Sequence, residues 1–183
     1  MKTIKRVPRV GAVVALLAVS SLAACDKKSE SASPEKPAPG NQPATAAEVV
    51  AVLDGYEAIR AKLAADDVSG VAELAKKLAD QARAAAGKSA ATNGKNLESV
   101  AQASSALAGA ASDVDAARRA FGDLSRSIVA VIAADPALRQ GRRVYECPMA
   151  PSYKKWVQKG DKMENPYMGT KMLECGSETT WDV

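Results

Sequence analysis

Six sulfur-bearing side chains crowd the end of this 183-residue sequence: Cys147, Met149, Met163, Met168, Met172 and Cys175. Residues 26–146 hold no cysteine or methionine. Thiolates and thioethers are soft, polarisable donors that select soft cations, above all Cu(I), over Mg or Ca. Cys147 and Met149 are two apart, so in an extended segment both side chains point the same way. Met172 and Cys175 are three apart, which sets them together on one helical turn. A tail that folds back on itself would face these pairs towards each other as a four-sulfur set, with Met163 and Met168 in reserve. Three readings of the cysteine pair stay open. It is a metal-competent thiol pair, a disulfide closing a loop of about 29 residues and contributing roughly 3–4 kcal/mol, or a pair of inert buried thiols. Oxidation could also switch a metal site off.

Other chemistry is excluded more firmly. The sequence has no histidine, which removes Ser-His-Asp and Cys-His pairs, histidine general bases and every His-containing metal site. Gly87-Lys88-Ser89 and Gly94-Lys95 lack the spacing of a phosphate loop, because no glycine stands at position 82. No Cys-x-x-Cys occurs, so a thioredoxin-like redox motif is missing. The carboxylates are scattered over helix faces, where a solvated surface is the expected role. An enzyme is not expected.

Helices must position the sulfur. Val49, Val52, Tyr56, Ile59 and Leu63 recur at 3-4-3-4 spacing, one stripe of a helix. Val71, Leu74, Leu78 and Ala82 carry a second stripe, which fades into a polar loop at 87–96. Leu97, Val100, Ser104, Leu107 and Ala111 make a third; Val114, Ala117, Phe121, Leu124, Ile128 and Val131 make a fourth. Ser112 with Asp115 resembles a capping box before the last helix, and Asp135-Pro136 ends it. The expected fold is all-α, an antiparallel up-down four-helix bundle over 46–136 with a thin, alanine-rich core. An irregular Cys/Met/aromatic-rich segment, 137–183, packs on it. Turn residues at 159–162 and 164–167 allow a short hairpin between about 153 and 165, and Met168 to Cys175 would form a helical turn. Trp156 and Tyr167 either wall the sulfur site or, with Pro166, form an exposed surface that docks a protein partner.

The N-terminus reads differently. Lys2, Lys5, Arg6 and Arg9 precede an apolar run too short to span a bilayer comfortably, the pattern of a signal peptide over 1–24. Past it, 21 basic residues face 21 acidic ones, so the net charge of +4 belongs to the leader and a nucleic-acid partner is not expected. Residues 25–45 are polar and carry four prolines, a disordered tether. Leu22-Ala23-Ala24-Cys25 resembles the lipobox of bacterial lipoproteins. That resemblance implies cleavage before Cys25, its acylation, and anchoring to a membrane with the domain facing the periplasm. The inner or outer membrane stays undecided; an ordinary secretory signal is the alternative.

CPMA at 147–150, Trp156, NPYMG at 165–169 and M-x-x-C-G at 172–176 resemble a bacterial envelope family, the domain of unknown function numbered 3347. RRAFGDLS at 118–125 and LAADD at 63–67 are similar to that family's helical part, giving a resemblance over about 46–180. Such domains also occur fused to adaptor subunits of heavy-metal efflux pumps. That association implies a periplasmic protein binding Cu(I) or Ag(I) through Cys147, Met149, Met172 and Cys175, as a buffer or as a donor to an efflux adaptor. The alternative is a disulfide-stapled structural or interaction module with no metal role.

Overall fold

In the computed structural model, Ala44 and residues 46–183 are the described part of the chain. The leader, Cys25 with its expected acylation, and the tether apart from Ala44 lie outside the described residues. The hydrophobic stripes become four helices, α1 (Ala46–Ala64), α2 (Val71–Ala86), α3 (Ala91–Ala110) and α4 (Val114–Ala134). Val49, Val52, Tyr56, Ile59 and Leu63 are all buried on α1. On α2 the buried stripe is Val71, Ala75, Leu78 and Ala82; Leu74 is only half-buried and lines a groove beside Gly55 of α1. Consecutive helices pack on one another through short loops, which makes a helical bundle.

Two helix starts differ from the sequence reading. Residues 91–96, expected as loop, are the first turns of α3. Tertiary contacts account for them: Gly94 comes so close to α2 that a Cβ there would lie 3.1 Å from the Ala86 carbonyl oxygen, and Asn96 Nδ2 donates to the Ala130 carbonyl on α4 at 3.2 Å. The cap of α4 is Asp113, whose carboxylate accepts from the Ala116 amide at 2.7 Å. Ser112 takes no part in that bond.

The tail is not irregular. β1 (Arg142–Glu146), β2 (Lys155–Lys159) and β3 (Ser177–Glu178) form an antiparallel sheet in the order β2-β1-β3. The fold is thus a helical bundle with a small sheet, and the hairpin runs over 142–159 instead of 153–165. Val144 faces Val157 and Tyr145 faces Trp156 across the β1–β2 pair, the β-branched and aromatic pairings that stabilise sheets. Residues 168–175 form only a short 3-10 stretch, Gly169–Lys171, followed by a turn. The outer edge of β2 is hydrogen-bonded to α1. Its Val157 amide donates to the Tyr56 hydroxyl at 3.1 Å, and its Lys159 amide to the Glu57 carboxylate at 3.3 Å. Side chains of α1 thereby take the place of a fourth strand and protect the edge.

β2 lies along the seam between α1 and α4, which touch each other far less than the other neighbouring helices do. Five rings run through this seam from bundle to sheet. Tyr56 stacks on Phe121 at 5.2 Å, Phe121 meets Tyr167 edge-on at 5.8 Å, Tyr167 meets Trp156 at 6.1 Å, and Trp156 stacks on Tyr145 at 5.5 Å. The core is therefore not thin, because the tail supplies the aromatic mass that the helices lack. The same burial overturns the expected docking surface. Trp156 is 0% exposed, and Pro166 and Tyr167 are buried with it. Such apolar area is more stable inside than in water.

Two buried arginines pin the tail to the helices. Arg60 on α1 donates to the Glu164 carbonyl at 2.8 Å and to the Glu57 carboxylate at 2.9 Å. Arg118 on α4 donates to the Pro166 and Leu63 carbonyls, each at 3.1 Å, and to the carboxylate of Asp66. Asp66 also accepts from the Thr170 hydroxyl and from the Thr170 amide at 3.0 Å. It sits at φ 56°, a left-handed conformation that aspartate tolerates. Gly169 fits between these groups, at φ 60°, where a Cβ would lie 2.0 Å from Asp66 Oδ1.

These bonds, first from the Thr170 hydroxyl and then from Arg118, draw the Asp66 carboxyl down to about 2, from 3.8. A depressed carboxyl stabilises the fold above its unfolded value, and that stability is lost as pH falls through about 2. Asp66 is 37% exposed, so solvent screening reduces its contribution to about 1 kcal/mol. Asp66→Asn is expected to be less stable than wild type by about that amount at pH 7. The difference should vanish towards pH 2, as followed by denaturant unfolding at several pH values; a difference constant with pH would contradict the assignment.

Candidate functional site

Cys147 immediately follows β1. Its amide donates to the Lys154 carbonyl at 3.0 Å, carrying the ladder one residue past the strand, and its carbonyl accepts from the Ala150 amide at 3.1 Å. That second bond closes a turn over 147–150. Its loop is seated on α4, where Ser152 Oγ donates to the Arg119 carbonyl at 3.1 Å. Gly122 makes room for it: a Cβ there would lie 2.0 Å from Ser152 Oγ.

Cys175 arrives from the opposite direction. Its amide donates to the Met172 carbonyl at 3.0 Å, and its carbonyl accepts from Asn165 Nδ2 at 2.6 Å. Asn165 is fully buried and organises the whole segment. Its amide donates to the Leu173 carbonyl at 2.7 Å, and its side-chain oxygen accepts from the amides of Tyr167 at 2.8 Å and Met168 at 3.2 Å. A buried side-chain amide with both ends satisfied rigidifies its surroundings. Gly176, at φ 146°, then turns the chain into β3 against the Glu146 carbonyl, the Trp156 ring and the Met163 sulfur.

The two sulfurs end 3.2 Å apart, in contact and not joined by a disulfide in this structure. Cys147 is 0% exposed while Cys175 is partly accessible. The Cys175 thiol is pushed above its ordinary value, first by its hydrogen bond with Cys147, then by burial and by charge on Cys147. Its proton is held to higher pH than that of an isolated thiol.

The thioethers divide. Met163 and Met168 are half-buried against the core. Met149 and Met172 are 57% and 40% exposed, among the few large apolar side chains at the surface of the described residues. The expected parallel projection of Cys147 and Met149 does not occur. The strand stops at Glu146, and the turn over 147–150 sends Cys147 inward and Met149 outward. The Met172–Cys175 turn does form and keeps their Cα atoms within about 7 Å. Among the described residues, no group of three or more His, Cys, Asp or Glu side chains is placed to hold a metal ion. The site is thus a thiol pair, with the Met163 sulfur packed close to Gly176 beside it; sulfur donors suit soft cations and not hard ones.

Asn165, Gly176, Arg118 and Asp66 escaped the sequence reading as individual residues. The signal was present in the stretches LAADD, RRAFGDLS and NPYMG, which the fold gathers into one network: Leu63, Asp66, Arg118, Pro166 and Gly169 meet at a single junction.

Residues 52–139 match a family model described as a protein of unknown function, DUF3347. The match runs from α1 to the 3-10 turn after α4 and stops before β1, so the Cys/Met motif lies beyond it. No curated protein and no solved structure matches the chain.

Proposed function

We propose that this chain, which belongs to the DUF3347 family through residues 52–139, is a non-catalytic carrier of Cu(I) or Ag(I) in the cell envelope. The observation that carries this reading is the contact between the Cys147 and Cys175 sulfurs at 3.2 Å, brought together from positions 28 apart in sequence. In it, an up-down helical scaffold presents the site and an acylated Cys25 anchors the tether to a membrane, facing the periplasm. The cargo is buffered there or passed to a heavy-metal efflux adaptor. Cys147 and Cys175 are the charged ligands, while Met149 and Met172 are neutral ligands at the rim, where an incoming or outgoing ion would meet them first. Thioethers bind without losing a proton, which suits exchange. With metal–sulfur bonds of about 2.3 Å, as in zinc thiolates, an ion between the two sulfurs would part them to at least about 3.8 Å. Cys175, partly accessible where Cys147 is fully buried, is the partner whose side chain has room to turn.

The test is retention of Cu(I) by the reduced full chain against a Cu(I) chelator, with Cys25→Ser to leave the pair alone. Near-stoichiometric retention is expected, lost in Cys147→Ser and strengthened as pH rises, because the raised Cys175 proton competes with the metal. Unchanged retention in Cys147→Ser would discard the site. The same short sulfur separation favours one other reading, a Cys147–Cys175 disulfide staple with no metal role. Thiol counting on the freshly isolated protein separates the two, since two free thiols in addition to any at Cys25 support the carrier and none supports the staple.

A further inference from the structure

Cys147 and Cys175 differ in a way that neither metal binding nor stapling requires. Cys147 is fully buried at the end of β1; Cys175 is partly accessible on a turn beside the exposed Met172. Thiol–disulfide exchange needs one sulfur that an outside disulfide can reach and a second, shielded one within attacking distance of the first. A Cys-x-x-Cys motif supplies this through local sequence. Here the β1–β2 hairpin and the turn before β3 supply it through topology, at 3.2 Å.

We infer that the pair is a thiol–disulfide exchange couple in which Cys175 meets a small disulfide and Cys147 resolves the adduct. The inference uses the two thiols of the proposed carrier but does not require the metal. Cys175 gives up its proton and attacks one sulfur of R–S–S–R; the R–S–S–R bond breaks, and the first RS⁻ leaves and is protonated. Cys147 then loses its proton and attacks Cys175 Sγ. The disulfide bond from Cys175 Sγ to the sulfur of SR breaks, and a second RS⁻ leaves and takes up that proton. Two electrons pass from the dithiol to the outside disulfide, giving two RSH and a Cys147–Cys175 bond. The exposed Met172, on the same turn as Cys175, suits a disulfide with apolar or aromatic substituents.

The experiment mixes the reduced full chain, carrying Cys25→Ser, with an aromatic probe disulfide, bis(3-carboxy-4-nitrophenyl) disulfide. Wild-type pairing should release two equivalents of aryl thiolate and end as an internal disulfide with no adduct by mass. Cys147→Ser should stop at one equivalent, with the adduct mapped to Cys175. Cys175→Ser should react at least about tenfold more slowly, because its remaining thiol is shielded. A wild-type pair that ends with two adducts, or a Cys175→Ser variant as fast as Cys147→Ser, would overturn the inference. The wild-type result needs no substitution in the pair, so a variant that fails to fold does not rescue it. Loss of the copper result with this pattern intact would discard the carrier alone.

Discussion

Arg118→Met is expected to destabilise the protein by about 3 kcal/mol, at the lower end of the range for breaking a buried ion pair. The arginine is 8% exposed and donates to three acceptors from two separate parts of the chain: the Leu63 carbonyl in the last turn of α1 with Asp66 just beyond it, and the Pro166 carbonyl in the tail. Methionine fills much of the same volume but takes a donor from each of the three: Asp66 keeps Thr170 and the Leu63 carbonyl keeps the Asp66 amide, whereas the Pro166 carbonyl loses Arg118, and desolvated acceptors are expensive to leave unpaired. Arg118→Lys is expected to recover only part of the loss, because an ammonium cannot reproduce the planar fork. Denaturant unfolding reads the stability, and a loss below about 1 kcal/mol would show that the junction is dispensable. A second readout ties the clamp to the sulfur. With the 164–170 segment loosened, alkylation should reach Cys147 and Cys175 at comparable rates, whereas the intact protein should shield Cys147.

Arg118 also marks where sequence reasoning stops. Charges on a helical pattern are normally solvated, yet Arg60 and Arg118 point into the seam because their acceptors are main-chain carbonyls, of Glu164 and Pro166, some fifty to a hundred residues away. No side-chain pattern announces a carbonyl. The helical stripes were legible because each helix carries its own periodicity, and the cysteine pair because an even number of thiols in a short tail invites pairing. The sheet was not. Its strands are short and their partners distant, with Glu146 pairing to Lys155 on one side and Ser177 on the other. The inward Cys147 and outward Met149 follow from the same cause, since a period of two applies only while the strand lasts. Trp156 and Tyr167 were legible as aromatic and ambiguous as to side. The gap between α1 and α4 decides it, because these helices scarcely touch each other and the seam between them takes in rings from the tail.

Gly176→Ala is expected to separate the two thiols while leaving both in the chain. A Cβ on Gly176 would lie 2.8 Å from the Glu146 carbonyl oxygen and 2.9 Å from Trp156 Cη2, at a φ of 146° that side chains rarely adopt. Neither neighbour can yield cheaply. Glu146 is held in β1 between two strands, and Trp156 is fully buried. The alanine must therefore push residues 175–178 outward, breaking the β1–β3 pairing and withdrawing Cys175 from Cys147. The expected cost is about 2–4 kcal/mol, from backbone strain and overpacking together. Cu(I) retention and internal disulfide formation should both fall although the thiol count is unchanged. Gly160→Ala is the control. That glycine has a positive φ of 81°, and a Cβ there would meet nothing within 4 Å. It therefore carries the backbone cost alone, about 1 kcal/mol, and keeps the sulfur pair. Equal losses in the two variants would mean that Gly176 serves only its own conformation. A larger loss at Gly176, with the thiols parted, would establish that the chemistry of this tail depends on how closely β3 is drawn against β1.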